Sequence, residues 1–334
     1  MKIVYLVASS DVSGGQRVIF QQAEALAKGF HKVTLICPEA KPTWFPISKA
    51  TWEQTPFSES RALSKANVCV ATYWTTVAHA VKTFDGPVFH LCQGYEADFS
   101  FNVSFKAEIE AAYMLPTHKL AVSHHVADRL KSLGYKPVSY VGQTFDPDEF
   151  PPAVNRKYKS YSPTILLPGI FESDVKGIRE SLEVLAQLRQ EQRPFQLLRV
   201  STWPQSESEK AILPADKYSV RLSPPEMAAA YQTSDLMIGP SHPEEGFGLH
   251  VLEALSSGLP VLISDTPGHR HIARQAAEYF KWHERQDLLL KLKNLLQNPL
   301  RLRELSRMGP LEACRFSTAK VAAKLITLFN QSME

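Results

Sequence analysis

Short apolar runs alternate with stretches of helical period along most of this chain. Residues 2–8 form a continuous apolar run, the pattern of a strand buried on both faces. A polar, glycine-bearing loop follows, and residues 16–29 then place Val18, Ile19, Ala23, Leu26 and Ala27 on one helical face. Residues 33–37 are the next apolar run, which completes the opening of a βαβ unit. Further strands are predicted at 68–72, 88–92, 120–123 and 138–141, with helices at 75–83 and 124–133. A polar, proline-bearing stretch at 151–163 reads as a linker. The pattern then resumes with strands at 164–168, 196–200, 218–222, 234–239 and 260–264, and helices at 178–190 and 224–231. The chain closes with helical patterns at 287–296, 299–308 and 316–330. Strands alternating with helices predict an α/β protein with parallel, doubly wound sheets.

Composition changes this picture little. A chain of 334 residues with 44% apolar content is most naturally two domains with real cores. A net charge of +3 is too small to argue for nucleic acid. Cys37, Cys69, Cys92 and Cys314 form no C-x-x-C pair and suggest a reducing compartment without a metal site. Asp146-Pro147-Asp148 reads as a turn rather than a metal-binding pair, and no metal or other cofactor is expected. The first residues are too short an apolar run for a signal peptide, so a cytoplasmic protein is expected. The basic helical patterns at 287–308 leave open a peripheral contact with the inner membrane surface, although a solvated face is the commoner role of such charge.

The chemistry concentrates in residues 241–267, SHPEEGFGLHVLEALSSGLPVLISDTP. A polar loop leads through Gly246-Phe247-Gly248 into an apolar-periodic helix beginning near Phe247, which stops at Gly258-Leu259-Pro260. Glu245 precedes that helix and Glu253 lies eight positions later, a span of about 12 Å at helical rise. That is the reach of a pyrophosphate with a sugar at each end. The helix N-terminus and the N–H groups of Gly246, Phe247, Gly248 and Leu249 suit the pyrophosphate. Glu245 and Glu253 could then accept hydroxyls from the transferred sugar and the ribose.

The run E-G-F-G-L-x-x-L-E-A-L-x-x-G-L-P-V resembles the signature of the retaining glycosyltransferases of family four. The resemblance implies a GT-B fold, two Rossmann-like doubly wound domains facing across a cleft. Residues 1–150 would be the acceptor-side domain and 151–315 the nucleotide-sugar domain, with 316–334 packing back on the first. It implies transfer of a hexosyl or deoxyhexosyl group from a nucleotide-diphosphate sugar to a glycan, lipid-linked or natural-product acceptor.

The resemblance also assigns residues. Gly14, Gly15 and Arg17 match a segment that lines the cleft, with Gly15 on the donor side, as does Ser123 at a strand end. Gln93 stands where many relatives have a histidine that contacts the transferred sugar. Gln93-Gly94-Tyr95-Glu96 is similar to a subset that includes rhamnosyltransferase-like proteins, which brings Tyr95 into the candidate set. His90, three residues earlier, reads as a half-buried strand residue. After Gly169, relatives carry an Arg and a Lys that grip the diphosphate. Lys176 matches the Lys, and Ile170 occupies the Arg position. Arg221 and Leu222 fall where the base lies. Gly268-His269-Arg270-His271 is read as a loop. Glu245, Gln93 and Lys176 are the expected catalytic residues. An NAD-linked oxidoreductase is disfavoured by the missing G-x-G-x-x-G, and an epimerase lacks the glycine-helix signature. A non-catalytic GT-B binding subunit is the alternative.

Overall fold

The computed structural model describes residues 1–154, 156, 158 and 162–333. It divides into two compact units, Met1–Phe145 with Phe316–Glu334, and Asp146–Arg315.

The first unit holds β1 (Lys2–Leu6), α1 (Gly14–Lys28), β2 (Lys32–Cys37), β3 (Thr51–Gln54), β4 (Val68–Ala71), α2 (Trp74–Thr83), β5 (Val88–Cys92), α3 (Lys106–Met114), β6 (His118–Ala121), α4 (His124–Ser132) and β7 (Val138–Tyr140). The second holds β8 (Thr164–Pro168), α5 (Ile178–Gln190), β9 (Gln196–Ser201), α6 (Glu207–Ile212), β10 (Lys217–Val220), α7 (Pro224–Thr233), β11 (Leu236–Gly239), α8 (Leu249–Ser256), β12 (Val261–Ser264), α9 (Pro267–Ala273), β13 (Glu278–Phe280), α10 (Arg285–Leu296) and α11 (Pro299–Ala313). The chain then returns to the first unit with α12 (Thr318–Gln331).

Among the described residues the strand orders are β3-β2-β1-β4-β5-β6-β7 and β10-β9-β8-β11-β12-β13, with parallel pairing throughout. Both are Rossmann-like doubly wound sheets. The central strands β1, β4, β8, β11 and β12 are Val-, Ile- and Leu-rich and covered on both faces, as helical crossovers require.

Edge strands account for part of what the pattern missed. β3 is a polar, half-exposed segment, and β13 has three residues. α3 has too little amphipathicity to stand out by period. α11 runs on to Ala313, past the expected end at residue 308, with Gly309-Pro310 inside the helix. Gly309 is there because α11 crosses α8 closely: a Cβ would lie 2.7 Å from the Leu255 carbonyl oxygen. The Asp146 turn is a short 3-10 segment, with the Asp146 carboxylate accepting from Asp148 N at 3.1 Å. The linker expected at 151–163 is tied to the second unit at its start, where Ala153 N donates to Ser257 O at 3.2 Å; residues 155, 157 and 159–161 lie outside the described residues. No helix among the described residues is long and apolar enough to cross a membrane.

The return of α12 is anchored by Phe329, which is fully buried and meets Phe89 of β5 edge-on at 4.8 Å. Thr318 N donates to Phe145 O at 3.0 Å and fixes where the helix begins. Phe329→Ala should cost about 3–5 kcal/mol, the range for truncating a buried aromatic. The check is chemical denaturation followed in the first unit: the midpoint should fall with the slope unchanged.

Candidate active site in the second unit

In an open parallel sheet, ligands gather at the carboxyl ends of strands where the order reverses. In the second unit that point lies between β8 and β11. The loops leaving these two strands carry Lys176 and Glu245, and the His242 N–H joins them by donating to Val175 O at 2.8 Å. Lys176 Nζ meets Glu245 Oε2 at 2.5 Å.

Three glycines shape the site. Gly169 has φ +133°, Gly177 φ +60° and Gly248 φ +87°, all in the region that disfavours side chains. At Gly177 a Cβ would also collide with the Pro240 carbonyl, and at Gly248 it would press on the His269 ring at 3.2 Å. Gly248 is the N-cap of α8, which begins two residues later than expected from Phe247, and no side chain caps it. The first turn of α8 thus presents N–H groups beside Glu245 and Lys176.

Burial alone would raise the Glu245 carboxyl, but the adjacent Lys176 ammonium, with smaller contributions from His250 and His269, overrides it and holds the pKa at about 2. His250, in the first turn of α8, is pushed down to about 3 by burial and by Lys176. Its Nε2 is buried without a hydrogen-bond partner. His250 was missed in the sequence although it directly follows Leu249; nothing in a helical period marks such a residue as polar and inward.

The reading of 268–271 as a loop is corrected. These residues form most of α9, started by Thr266, whose Oγ1 accepts from His269 N at 3.3 Å, and by Pro267 at the first helical position. Gly268 hid that start. The His269 ring is buried, with Nδ1 donating to Ser264 O at 2.9 Å. Arg270 forks onto Asp265 at 2.6 and 2.7 Å and lies 3.7 Å over the Tyr279 ring.

Glu253 sits on α8, 7% exposed, and accepts from Tyr231 Oη of α7 at 2.8 Å. This marks the α7 side of the site. Arg221 follows β10 at φ +53°; it is exposed, and its Nε donates to Thr202 O at 3.2 Å, with Leu222 half-buried beside it.

The remaining candidates belong to the first unit. Gly14 and Gly15 open α1, whose N-cap Ser13 accepts from Gln16 N at 3.1 Å. Gln93, after β5, donates through Nε2 to Gly15 O at 3.0 Å, so these two are brought together. Arg17 is 9% exposed, and Ser123 is fully buried as the N-cap of α4. Tyr95 is 6% exposed, its hydroxyl 3.0 Å from that of Tyr135 and its ring edge-on to Tyr113, which places it in the core rather than on an open surface. His90 is fully buried rather than half-buried, its ring 4.6 Å from Tyr113, and burial lowers its pKa to about 3. Beside them Glu96 bonds the Tyr113 hydroxyl, and burial raises its pKa to about 7. Among the described residues no group of three His, Cys, Asp or Glu side chains is arranged to hold a metal ion.

Residues 156–311 match the family model of glycosyl transferases, group 1. The chain resembles a family four glycosyltransferase of the GT-B fold. A D-inositol 3-phosphate glycosyltransferase of Thermobispora bispora is 34% identical over 121 residues, covering 34% of this chain and 28% of that relative, well short of its length. A putative glycosyltransferase of Bacillus subtilis, EpsD, is 28% identical over 105 residues, covering 31% of this chain and 27% of that one. Among solved structures, sucrose-phosphate synthase of Thermosynechococcus elongatus superposes with TM-score 0.77 at 16% identity over 98% of both chains. HepE of Anabaena, in complex with UDP-glucose, gives 0.77 at 13% identity over 99% of this chain and 100% of that one. WaaG, a glycosyltransferase of lipopolysaccharide biosynthesis, gives 0.73 at 17% identity over 98% and 99%. At these identities the structural likeness carries the fold, and the glycosyltransferase-like segment coincides with the unit that holds Lys176 and Glu245.

The Glu245 pKa yields a test of this electrostatic picture. In Lys176→Met the burial that opposes ionisation loses its main counterweight, so the Glu245 carboxyl should titrate clearly above about 2. Side-chain carboxyl NMR of the variant against the native protein measures the shift, and an unmoved titration would refute the assigned cause.

Proposed function

We propose that this protein is a cytoplasmic retaining glycosyltransferase. It would move a hexosyl or deoxyhexosyl group from a nucleotide-diphosphate sugar to a glycan, lipid-linked or natural-product acceptor. The observation that carries the reading is the Lys176–Glu245 pair at the glycine-capped start of α8, at the strand-order reversal. The glycosyltransferase relatives, and the neighbour solved with UDP-glucose, support it.

In this reading the diphosphate takes the place of Glu245 as partner of Lys176 and lies on the first-turn N–H groups of α8. Glu245, kept ionised, accepts hydroxyls of the transferred sugar. Glu253 faces the ribose from the Tyr231 side, with Arg221 and Leu222 at the base. Gln93 and the Gly14-Gly15 turn are the first unit's contribution to handling the acceptor. The acceptor hydroxyl attacks from the face the phosphate leaves, so no protein nucleophile is required. Catalysis is then positioning together with stabilisation of the departing diphosphate charge.

The experiment is titration of three variants with a nucleoside diphosphate and its nucleoside, beside initial rates from a panel of nucleotide sugars. Lys176→Ala should lose about 1.5–3 kcal/mol toward the diphosphate, as for a charged hydrogen bond, and little toward the nucleoside. Glu253→Gln should weaken both ligands, because both contain the ribose. Glu245→Gln should bind the diphosphate at least as tightly, since the competing carboxylate is gone, yet turn over far more slowly, with the loss in kcat as well as kcat/KM. Tight binding without transfer from any donor would instead identify a non-catalytic binding subunit.

A further inference from the structure

Arg199 is the largest fully buried side chain among the described residues, set in the otherwise apolar run of β9. Its strand neighbours in register are Leu167 of β8 and Tyr218 of β10. All three arms of the guanidinium are used. Nε donates to Glu209 Oε1 of α6 at 2.7 Å, Nη1 donates to Leu167 O, and Nη2 donates to Gly169 O at 2.9 Å. Glu209 is itself fully buried, and its other oxygen accepts from the Tyr218 hydroxyl at 3.3 Å.

Burying an ion pair is expensive, and an apolar pair of similar volume commonly serves stability as well or better. What an apolar pair cannot do is grip two carbonyls at the exit of β8. Gly169 is where β8 ends, and its backbone is held from two sides, by Arg199 and by its own N–H to Val200 O at 2.9 Å. Gly169 also stands against the lysine: a Cβ there would lie 3.6 Å from Lys176 Cβ and 3.0 Å from Ile178 Cδ1. The residue after Gly169 is Ile170, where the resemblance expects an Arg that would touch the diphosphate directly.

We propose that Arg199 is a positioning residue for the donor diphosphate, fixing the Gly169 carbonyl and thereby the loop that places Lys176. The proposal rests on the donor-binding reading above. Arg199 acts through backbone carbonyls, from a position that no ligand reaches. A buried cation that holds two backbone carbonyls thus fixes the start of this loop from behind.

Two variants test this. Arg199→Lys keeps the charge for Glu209 but cannot hold both carbonyls and the carboxylate at once. Arg199→Met with Glu209→Leu replaces the pair by apolar groups and guards against a fold lost to one unpaired buried charge. Melting and calorimetric titration with UDP, GDP, uridine and guanosine are compared with the native protein. A folded variant should bind the preferred diphosphate about tenfold or more weakly, with nucleoside affinity unchanged, as a displaced binding group implies. A side chain that only supports the fold would lower the melting midpoint and leave the ratio of diphosphate to nucleoside affinity as it was. A folded variant with the native ratio therefore overturns the positioning role while the donor reading stands. Failure of the native protein to bind any nucleoside diphosphate, with ADP, CDP and dTDP added to the titrations, overturns both.

Discussion

Parallel pairing constrains everything else in this molecule. When all neighbours run the same way, each chain segment leaves its sheet at the same edge and must return through a crossover, here mostly helical. In the second unit that rule delivers the exits of five crossovers to one edge. The reversal of strand order between β8 and β11 sends two adjacent loops to opposite faces. Lys176 and Glu245, 69 residues apart in sequence, meet there at 2.5 Å because the topology leaves that point uncovered.

The Lys176–Glu245 pair makes this point of the fold electrically closed on itself. Its cation and its carboxylate satisfy each other, and His250 beside them is kept neutral by its burial and by the same lysine. A dianionic ligand that claims Lys176 releases Glu245 at the same moment. On the proposed donor reading, binding of the phosphates and readiness of the carboxylate for sugar hydroxyls would be two results of one exchange of partners. The glycines hold this arrangement in the backbone: Gly177 and Gly248 occupy conformations and spaces that other residues would enter only with strain.

The doubly wound architecture and the stretch from Glu245 to Pro267 were legible because they are local. A positive-φ glycine before an amphipathic helix, and a buried apolar strand after it, leave their marks within a few residues. Partnerships were not legible. Nothing near Lys176 announces Glu245, nothing near Glu253 announces Tyr231, and Gln93 gives no sign that it caps the carbonyl of Gly15. The start of α9 was misread because Gly268 masks a Thr266-Pro267 helix start. Arg199 did leave a signal, a lone cation inside an apolar strand, but its meaning depends on Glu209 and Gly169, which only the fold brings near.

One consequence follows from the order in which the elements occur. The first unit is interrupted: its chain leaves at Phe145 and comes back only at Phe316, where Thr318 bonds the Phe145 carbonyl. On a ribosome, seven strands of that unit emerge long before the helix that covers Phe89. Until the entire second unit has been synthesised, the nascent first sheet lacks Phe329 and keeps part of its apolar face uncovered. The two units are therefore unequal in biogenesis. The second can complete its core as soon as it emerges, and the first must wait for it.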